Sequence, residues 1–472
     1  MASGASHSGG TAISVLDGAA KCLVSKDKME VILSPASGEL AADWLGRIPA
    51  ILQEAGIIYG RLPLPEPTSG GWIVARGSEP LNGEDGRIEM NVSAPSGKER
   101  PAGDAAGGEG GALYVDLKNL HAVANVRKGE VIARKILPTP GTPGKDVFGE
   151  EVAPVAGQPA EFSKGEGTDL SSDGLQLLAA LDGRVDVQGQ TISVLDHWLI
   201  DGSVDTATGN VTFWGRSLEV NGSVLGGFHV SVDGDLEVSG GIENGARIRV
   251  GGNLKIGGII RAEATTVEVG GNLSCFAVEY STVSVGGNLE VEEYLLDATC
   301  DARGGVLMMH GKGLIAGGRC TAGGSIAVNT LGTPANVRTE IRAGYDAAVR
   351  EMHDKIVQEI KELAGKLRDV EHGLKRLKGI EALGPLDDKK AYIKKRLLDV
   401  SMAIAGQNSA LKESLGELEA RISFLRRENI QIMMHAYPNT LLGVDDALLE
   451  LSREVEKARV QYQRGQVALI PL

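Results

Sequence analysis

Glu290, Glu292, Glu293 and Asp297 are the residues whose spacing first suggests a metal site. A hard cation needs several carboxylate oxygens converging on one fixed loop. In an extended segment Glu290 and Glu292 share a face and Glu293 points away. A solvated strand face is therefore the better reading. Gly141-Thr142-Pro143-Gly144-Lys145-Asp146 invites comparison with a phosphate-binding loop. Its spacing is wrong, and Asp146 stands where a Ser or Thr should follow the lysine. It reads as a glycine-rich turn. Val126-Arg127-Lys128-Gly129-Glu130-Val131-Ile132-Ala133 is like a hairpin of a lipoyl-type sandwich. It has no exposed lysine at a tight turn between symmetrical halves, so it reads as structure only. No residue is assigned as catalytic, cofactor-binding or metal-ligating, and no cofactor is expected.

The composition narrows the class of protein. The 472 residues carry 48 basic and 62 acidic side chains, a net charge of −14. That sign argues against sequence-independent nucleic-acid binding, which needs a basic surface. It also gives the molecule as a whole no attraction to anionic lipid. No apolar run is long enough to span a membrane. Residues 1–10 have neither a basic start nor an apolar stretch, so they read as a disordered tail rather than a secretory signal. Cys22, Cys275, Cys300 and Cys320 lie far apart in sequence. They suggest buried thiols in a reducing compartment, and a cytoplasmic protein.

Residues 11–185 read as an α+β domain. Leu45, Ile48, Leu52 and Ala55 fall at helical spacing within 41–55, and Gly56 suits a helix end. Pro63, Pro65 and Pro67 suggest loop, and Trp72 to Ala75 and Ile88 to Val92 suggest strands. Residues 93–112 are dominated by Gly, Ala and Pro and read as a mobile loop. Thirteen prolines precede residue 160, and the next is Pro334. A long proline-free stretch suits strands paired on both sides, where every N–H is needed.

Within that stretch lies a repeat. Its glycines are Gly234, Gly252, Gly271, Gly287, Gly305 and Gly324, at steps of 18, 19, 16, 18 and 19 residues. Asp235-Leu236, Asn253-Leu254, Asn272-Leu273 and Asn288-Leu289 follow four of them. Alternating β-branched runs such as Val267-Glu268-Val269 precede them. This is the pattern of a β-solenoid, placed at 186–342, with weaker copies at Gly202 and Gly222. Glycine at its corners would supply positive φ. Aliphatic residues two apart would fill a narrow interior, which accounts for an aromatic content of only 4 %.

Solenoids can host enzymes. Right-handed ones include glycan lyases and hydrolases with paired carboxylates, and left-handed hexapeptide ones include acyltransferases with a catalytic histidine. Ile242, Ile248, Leu254 and Ile260 do step by six. His229 and His310 are the candidates for that histidine, but no acid, base and binding constellation accompanies either. A glycan-active or acyl-transferring enzyme is the alternative reading.

From Tyr345 the period changes. Val349, Met352, Ile356, Ile360, Leu363, Leu367, Val370, Leu374 and Leu377 step by three and four. After Leu383-Gly384-Pro385-Leu386 the pattern resumes at Ile393, Leu397, Val400, Ile404, Leu411, Leu415, Leu418, Ile422 and Leu425. Asp387 or Asp388 can cap the second segment. An antiparallel coiled-coil hairpin at 343–435 is expected, with Val357, Leu398 and Phe424 flanking its seam. In 436–472, Leu448, Leu449, Val455 and Val460 suggest a helix, and Val467-Ala468-Leu469-Ile470 a strand returning to the solenoid.

At this point the chain resembles the flagellar assembly protein A family. Gly56-Ile57-Ile58-Tyr59-Gly60 is similar to the family's helix-to-strand signature. Ala75-Arg76-Gly77, Pro80, Gly83 and Asp85-Gly86 resemble its next conserved stretch. Val126 to Ala133 and Gly141 to Gly149 resemble the segment before its solenoid. Val204-Asp205, Thr208-Gly209-Asn210-Val211, the Gly-Asn-Leu rungs and Leu314-Ile315-Ala316-Gly317-Gly318 resemble the solenoid itself. The chain departs from the family at the loop 101–112 and at Ala436-Tyr437-Pro438-Asn439. The resemblance implies a mixed α and β fold. Its core would be a right-handed parallel β-helix, with an α+β N-terminal domain and a projecting helical hairpin. It also implies a non-enzymatic scaffold or adaptor in flagellar assembly or cell-pole organisation. Protein partners at the flagellum or pole, and a homodimer, are expected.

Overall fold

The computed structural model describes residues 10–36, 44–92, 124–261 and 266–472. The loop expected at 93–112 and all but the last residue of the tail at 1–10 lie outside them. The chain divides into two compact units. Among the described residues, one holds 10–36, 44–92, Lys128–Ala180 and Asp186–Ser193; the other holds 124–127, Leu181–Val185, 194–261 and 266–472. The division is therefore not a single cut near 185, because the chain passes between units more than once.

The first unit contains a five-stranded antiparallel sheet. Its spatial order is Thr11–Val15, Ala20–Val24, Glu30–Pro35, Gly71–Arg76 and Arg61–Thr68. Helix α1, Trp44–Glu54, buries Ile48, Ile51 and Leu52 against Val31, Leu33 and Val74. Gly56 follows it at φ +74°, as a helix end favours. The segment with Pro63, Pro65 and Pro67 is a strand, not a loop. It lies at the sheet edge, where one side needs no N–H donors, so prolines are tolerated. A second, four-stranded sheet orders Thr168–Leu170, Gln176–Ala179, Val131–Ile136 and Arg87–Met90.

The second unit is the solenoid. Each rung places aliphatic residues in three inward columns. Leu218, Leu236, Leu254, Leu273 and Leu289 stack in register on one face. Val204, Val224, Ile242 and Ile260 stack through parallel bridges at the next. Val230, Ile248, Val267, Val283 and Cys300 stack on the third. All are buried, and together they form one continuous core. Aromatic rings enter mainly at the first rungs, where Trp198 meets Phe213 edge-on at 5.9 Å.

The repeat glycines serve a different purpose from the one expected. Gly252, Gly271 and Gly287 have no positive φ. They supply room instead. A Cβ at Gly271 would lie 2.6 Å from Asn253 Oδ1, and one at Gly287 would lie 2.4 Å from Asn272 Oδ1. Those amide oxygens run along the corner as a ladder. Asn253 N donates to Asp235 Oδ1, Asn272 N to Asn253 Oδ1, and Asn288 N to Asn272 Oδ1. The Gly-Asn pair is thus one device, with the amide bridging rungs and the glycine letting it pass.

The solenoid does not end at 342. Asn429–Ala436 pairs in parallel with Ile326–Leu331, and Thr440–Val444 with Thr339–Ala343. Helices α2, Ala347–Glu381, and α3, Asp388–Leu425, are therefore inserted between two successive rungs. Residues 429–435, expected in the hairpin, belong to the solenoid. The helix expected in 436–472 is absent. Ala447–Glu450, Val455–Gln463 and Gln466–Pro471 are antiparallel strands that close the solenoid's end. Val455–Gln463 buries Ala458 and Val460 two apart, and short apolar spacing alone cannot separate that from a helix.

Helices α2 and α3 run antiparallel, since Lys394 pairs with Glu381 at one end and Arg421 with Asp346 at the other. Asp346 caps α2, and Asp387 caps α3 by accepting from Lys390 N at 2.7 Å. Val349, Leu377, Ile404, Ile422 and Leu425 are buried. Met352, Ile393 and Val400 were expected in the seam but are exposed, as are Leu398 and Phe424 beside it. The rungs on either side of the insertion pair directly. Replacing 347–428 with a short Gly/Ser connection is thus expected to leave the solenoid folded. Far-UV circular dichroism should lose its helical signal and keep a cooperative β transition. A chain that no longer unfolds cooperatively would refute this insertion reading.

Candidate functional site: the outer faces of the solenoid

A groove of about 570 Å³ follows the leucine face of the solenoid. Its polar lining includes Asp235, Glu237, Asn253, Lys255, Ser274 and Glu290. These groups point outward because they alternate with Leu236, Leu254 and Leu273, which point in. Lys255 Nζ meets Glu237 Oε1 at 2.6 Å, so that carboxylate is already engaged by its neighbour one rung on. Glu219 is in register with Glu237 on the adjacent rung, and both are exposed.

On the next face, Glu279 is only 9 % exposed. Tyr294 Oη donates to its Oε1 at 2.7 Å, and Arg261 Nε to its Oε2 at 2.7 Å. Burial opposes its ionisation, but the tyrosine and the guanidinium outweigh that and hold its carboxyl below the usual range. A depressed carboxylate contributes stability that is fully present above its unfolded value and is lost as pH falls through the folded one. The stability advantage over a Glu279→Gln variant is therefore expected to be constant at neutral pH. It should shrink only below about pH 4.5, the ordinary glutamate value. Urea titrations of both proteins at several pH values check this.

The acidic run does not assemble as a cation site. Glu290 reaches His310, with Oε1 and Nε2 3.9 Å apart, and Glu293 pairs with Lys312 at 3.9 Å. Asp297 sits at a turn with φ +45°. His229 is exposed and in register with Arg247. In the first unit, the 141–146 turn leaves no amide cradle for a phosphate. Asp146 is buried, and its Oδ1 accepts from Phe148 N and Glu150 N at 2.9 and 2.8 Å. Val131–Ile136 is an inner strand of the four-stranded sheet, with Gly129 at its entry turn.

Two clusters escaped the sequence reading. His435 Nδ1 lies 2.9 Å from Glu454 Oε1 and 3.8 Å from Glu456 Oε1. His435 and Glu456 are far apart in sequence and meet only through antiparallel pairing of the closing strands. At the hairpin base, Asp445 is fully buried and accepts from both Arg350 and Arg426. Arg426 also pairs with Asp446 and stacks over Tyr462 at 4.6 Å. No local signal marks Asp445 as the joint between helices and rungs.

The cysteines are free and buried. Burial pushes the Cys320 thiol up to about 12, and Cys22 up to about 11. Native protein at about pH 8 is therefore expected to resist iodoacetamide at Cys275, Cys300 and Cys320, and to label fully once unfolded. Mass spectrometry of labelled peptides reads this directly, and fast native labelling would contradict the buried stack.

Stacked rungs, a glycine–asparagine ladder and a helical pair inserted before the final rung define a β-solenoid protein. Family models match two stretches. The Flagellar Assembly Protein A beta solenoid domain covers residues 196–467, and the Flagellar Assembly Protein A N-terminal region covers 21–190. The chain belongs to the flagellar assembly protein A family. No curated protein and no solved structure matches it.

Proposed function

We propose that this protein is a non-enzymatic cytoplasmic scaffold in flagellar assembly that works by binding other proteins. The observation that carries this is the family match across both the solenoid and the N-terminal region. The solenoid's outer chemistry supports it. Glu237, Glu279 and Glu340 are each engaged by a basic side chain of the chain itself, which gives these carboxylates a structural part in the rungs. One arrangement favours the rival reading of a glycan-active enzyme. Glu219 and Glu237 lie on adjacent rungs, about 5 Å apart along the stack, near the spacing of a retaining glycosidase pair. Both are exposed, however, and the Glu237 carboxylate is already engaged by Lys255 at 2.6 Å.

The test is genetic and biochemical together. Deleting the coding sequence in the native bacterium should reduce the number or alter the placement of flagella seen by electron microscopy. The intact chain should restore them, and so should a Glu219→Gln, Glu237→Gln double variant. Restoration by the intact chain alone, with polysaccharide turnover that the double variant loses, would establish the enzyme reading instead. The scaffold is further proposed to be homodimeric. Light scattering that shows a monomer across micromolar concentrations would remove that part.

A further inference from the structure

Charge is segregated along the helical pair. Residues 375–396, its far end, carry eight basic and three acidic side chains, a net +5, in a chain of net −14. Two of the eight are spoken for, since Lys394 pairs with Glu381 and Lys390 with Asp387. The other six are Lys375, Arg376, Lys378, Lys389, Lys395 and Arg396. All are exposed, and among the described residues none makes an ion pair. At about 100° per residue, positions 375, 376 and 378 already point in three directions around α2. The six charges therefore ring the tip instead of lining one side.

The centre of that ring is apolar. Leu383, at the turn, is 91 % exposed, and Tyr392 is 63 % exposed. Ile380 and Ile393 are also exposed on the flanking helical ends. Leu383 has no partner to cover it in the turn 382–387, which is built from Ala382, Gly384, Pro385 and Leu386.

We propose that the hairpin tip docks on the surface of an anionic lipid bilayer, with Leu383 and Tyr392 entering the headgroup region inside a ring of lysines and arginines. A ring of charge suits a planar surface met end-on, which engages every side at once. A protein groove would engage one side. Nucleic acid offers phosphate but no apolar phase for an isolated leucine. The acidic rungs at the base of the hairpin do not defeat the attraction. Helix α2 has 35 residues and is about 50 Å long, several times the ~8 Å over which salt screens charge. Residues of the helices outside the base pair only with one another among the described residues, so the tip is not committed to the rungs.

The experiment is co-sedimentation of the full chain with vesicles of phosphatidylcholine alone or with phosphatidylglycerol added. Binding is expected only to the anionic vesicles and should fall as salt rises. Changing the six unpaired residues to glutamine should weaken it at least about tenfold. Leu383→Asn should weaken it several-fold with the net charge unchanged. Every substituted side chain is exposed, and circular dichroism will confirm retained helix. As a control, Lys355→Gln with Lys361→Gln, nearer the base, should bind as the parent does. Equal sedimentation with both vesicle types, or an unaffected six-fold variant, overturns the proposal. So does displacement by soluble polyglutamate or duplex DNA that is indifferent to Leu383→Asn, an outcome that would assign the tip to an acidic protein or to nucleic acid. The assay reads purified protein alone, so its failure leaves the scaffold role standing, and failed complementation in cells leaves the docking standing.

Discussion

Asp445→Ala is expected to free the helical pair from the solenoid at a cost of about 3 kcal/mol, the lower end of the range for breaking a buried ion pair. Asp445 is 0 % exposed and accepts from Arg350 and Arg426, which come from opposite ends of the inserted segment. Removing it leaves both guanidiniums beside the last rung with Asp446 as their one remaining carboxylate among the described residues. Arg426 is partly exposed and both arginines keep Asp446, which sets the cost at the low end. Asp445 also sits at φ +57°, a conformation asparagine tolerates better than alanine. Asp445→Asn therefore removes the charge while sparing the backbone, and should recover part of the loss. Urea unfolding gives the magnitude. Hydrogen exchange gives the place: protection should fall at the base of α2 and the end of α3, while rungs near 254 remain protected. Unchanged exchange at the base would show that seam packing alone holds the helices.

Leu254→Ala is expected to cost about 2–5 kcal/mol, since it removes a buried side chain from a column that cannot close over the gap. Leu254 is 1 % exposed and is clasped in register by Leu236 and Leu273 on the rungs before and after. The backbone ladder fixes the rung spacing, so the neighbours cannot slide together. Stability in a stacked repeat is nearly a sum of nearest-neighbour terms, so the loss should be local. Exchange should accelerate most for residues 236–273 and little in the closing strands 455–471. Ile200, at the first rung and less enclosed, is the contrast. Its truncation should cost less. Equal costs at the two positions would mean that the rungs share their packing along the whole length.

Much of this was legible in the residues. The glycine steps near 18, with an inward leucine or isoleucine two after five of the six and Val306 directly after Gly305, marked the solenoid, because each rung must repeat the same inward pattern to fill one narrow core. The three-and-four steps after Val349 marked two helices, and Asp387 or Asp388 the start of the second, of which Asp387 is the cap. The residues in doubt were those whose role depends on partners distant in sequence. Pro63, Pro65 and Pro67 looked like a loop, and only their place at a sheet edge made them strand. Leu448 and Val460 looked helical, because a few apolar residues at short spacing fit either period until a neighbouring strand exists to pair with. The insertion of α2 and α3 between paired rungs was equally hidden, since Ile326 meets Ile430 only after about 100 intervening residues have folded out of the way. Local periodicity thus determined which elements form. Burial of Asp445, the meeting of His435 with Glu456, and the register that joins rungs across the hairpin were decided only by tertiary structure, because each is a pairing between segments that carry no mark of one another in the chain.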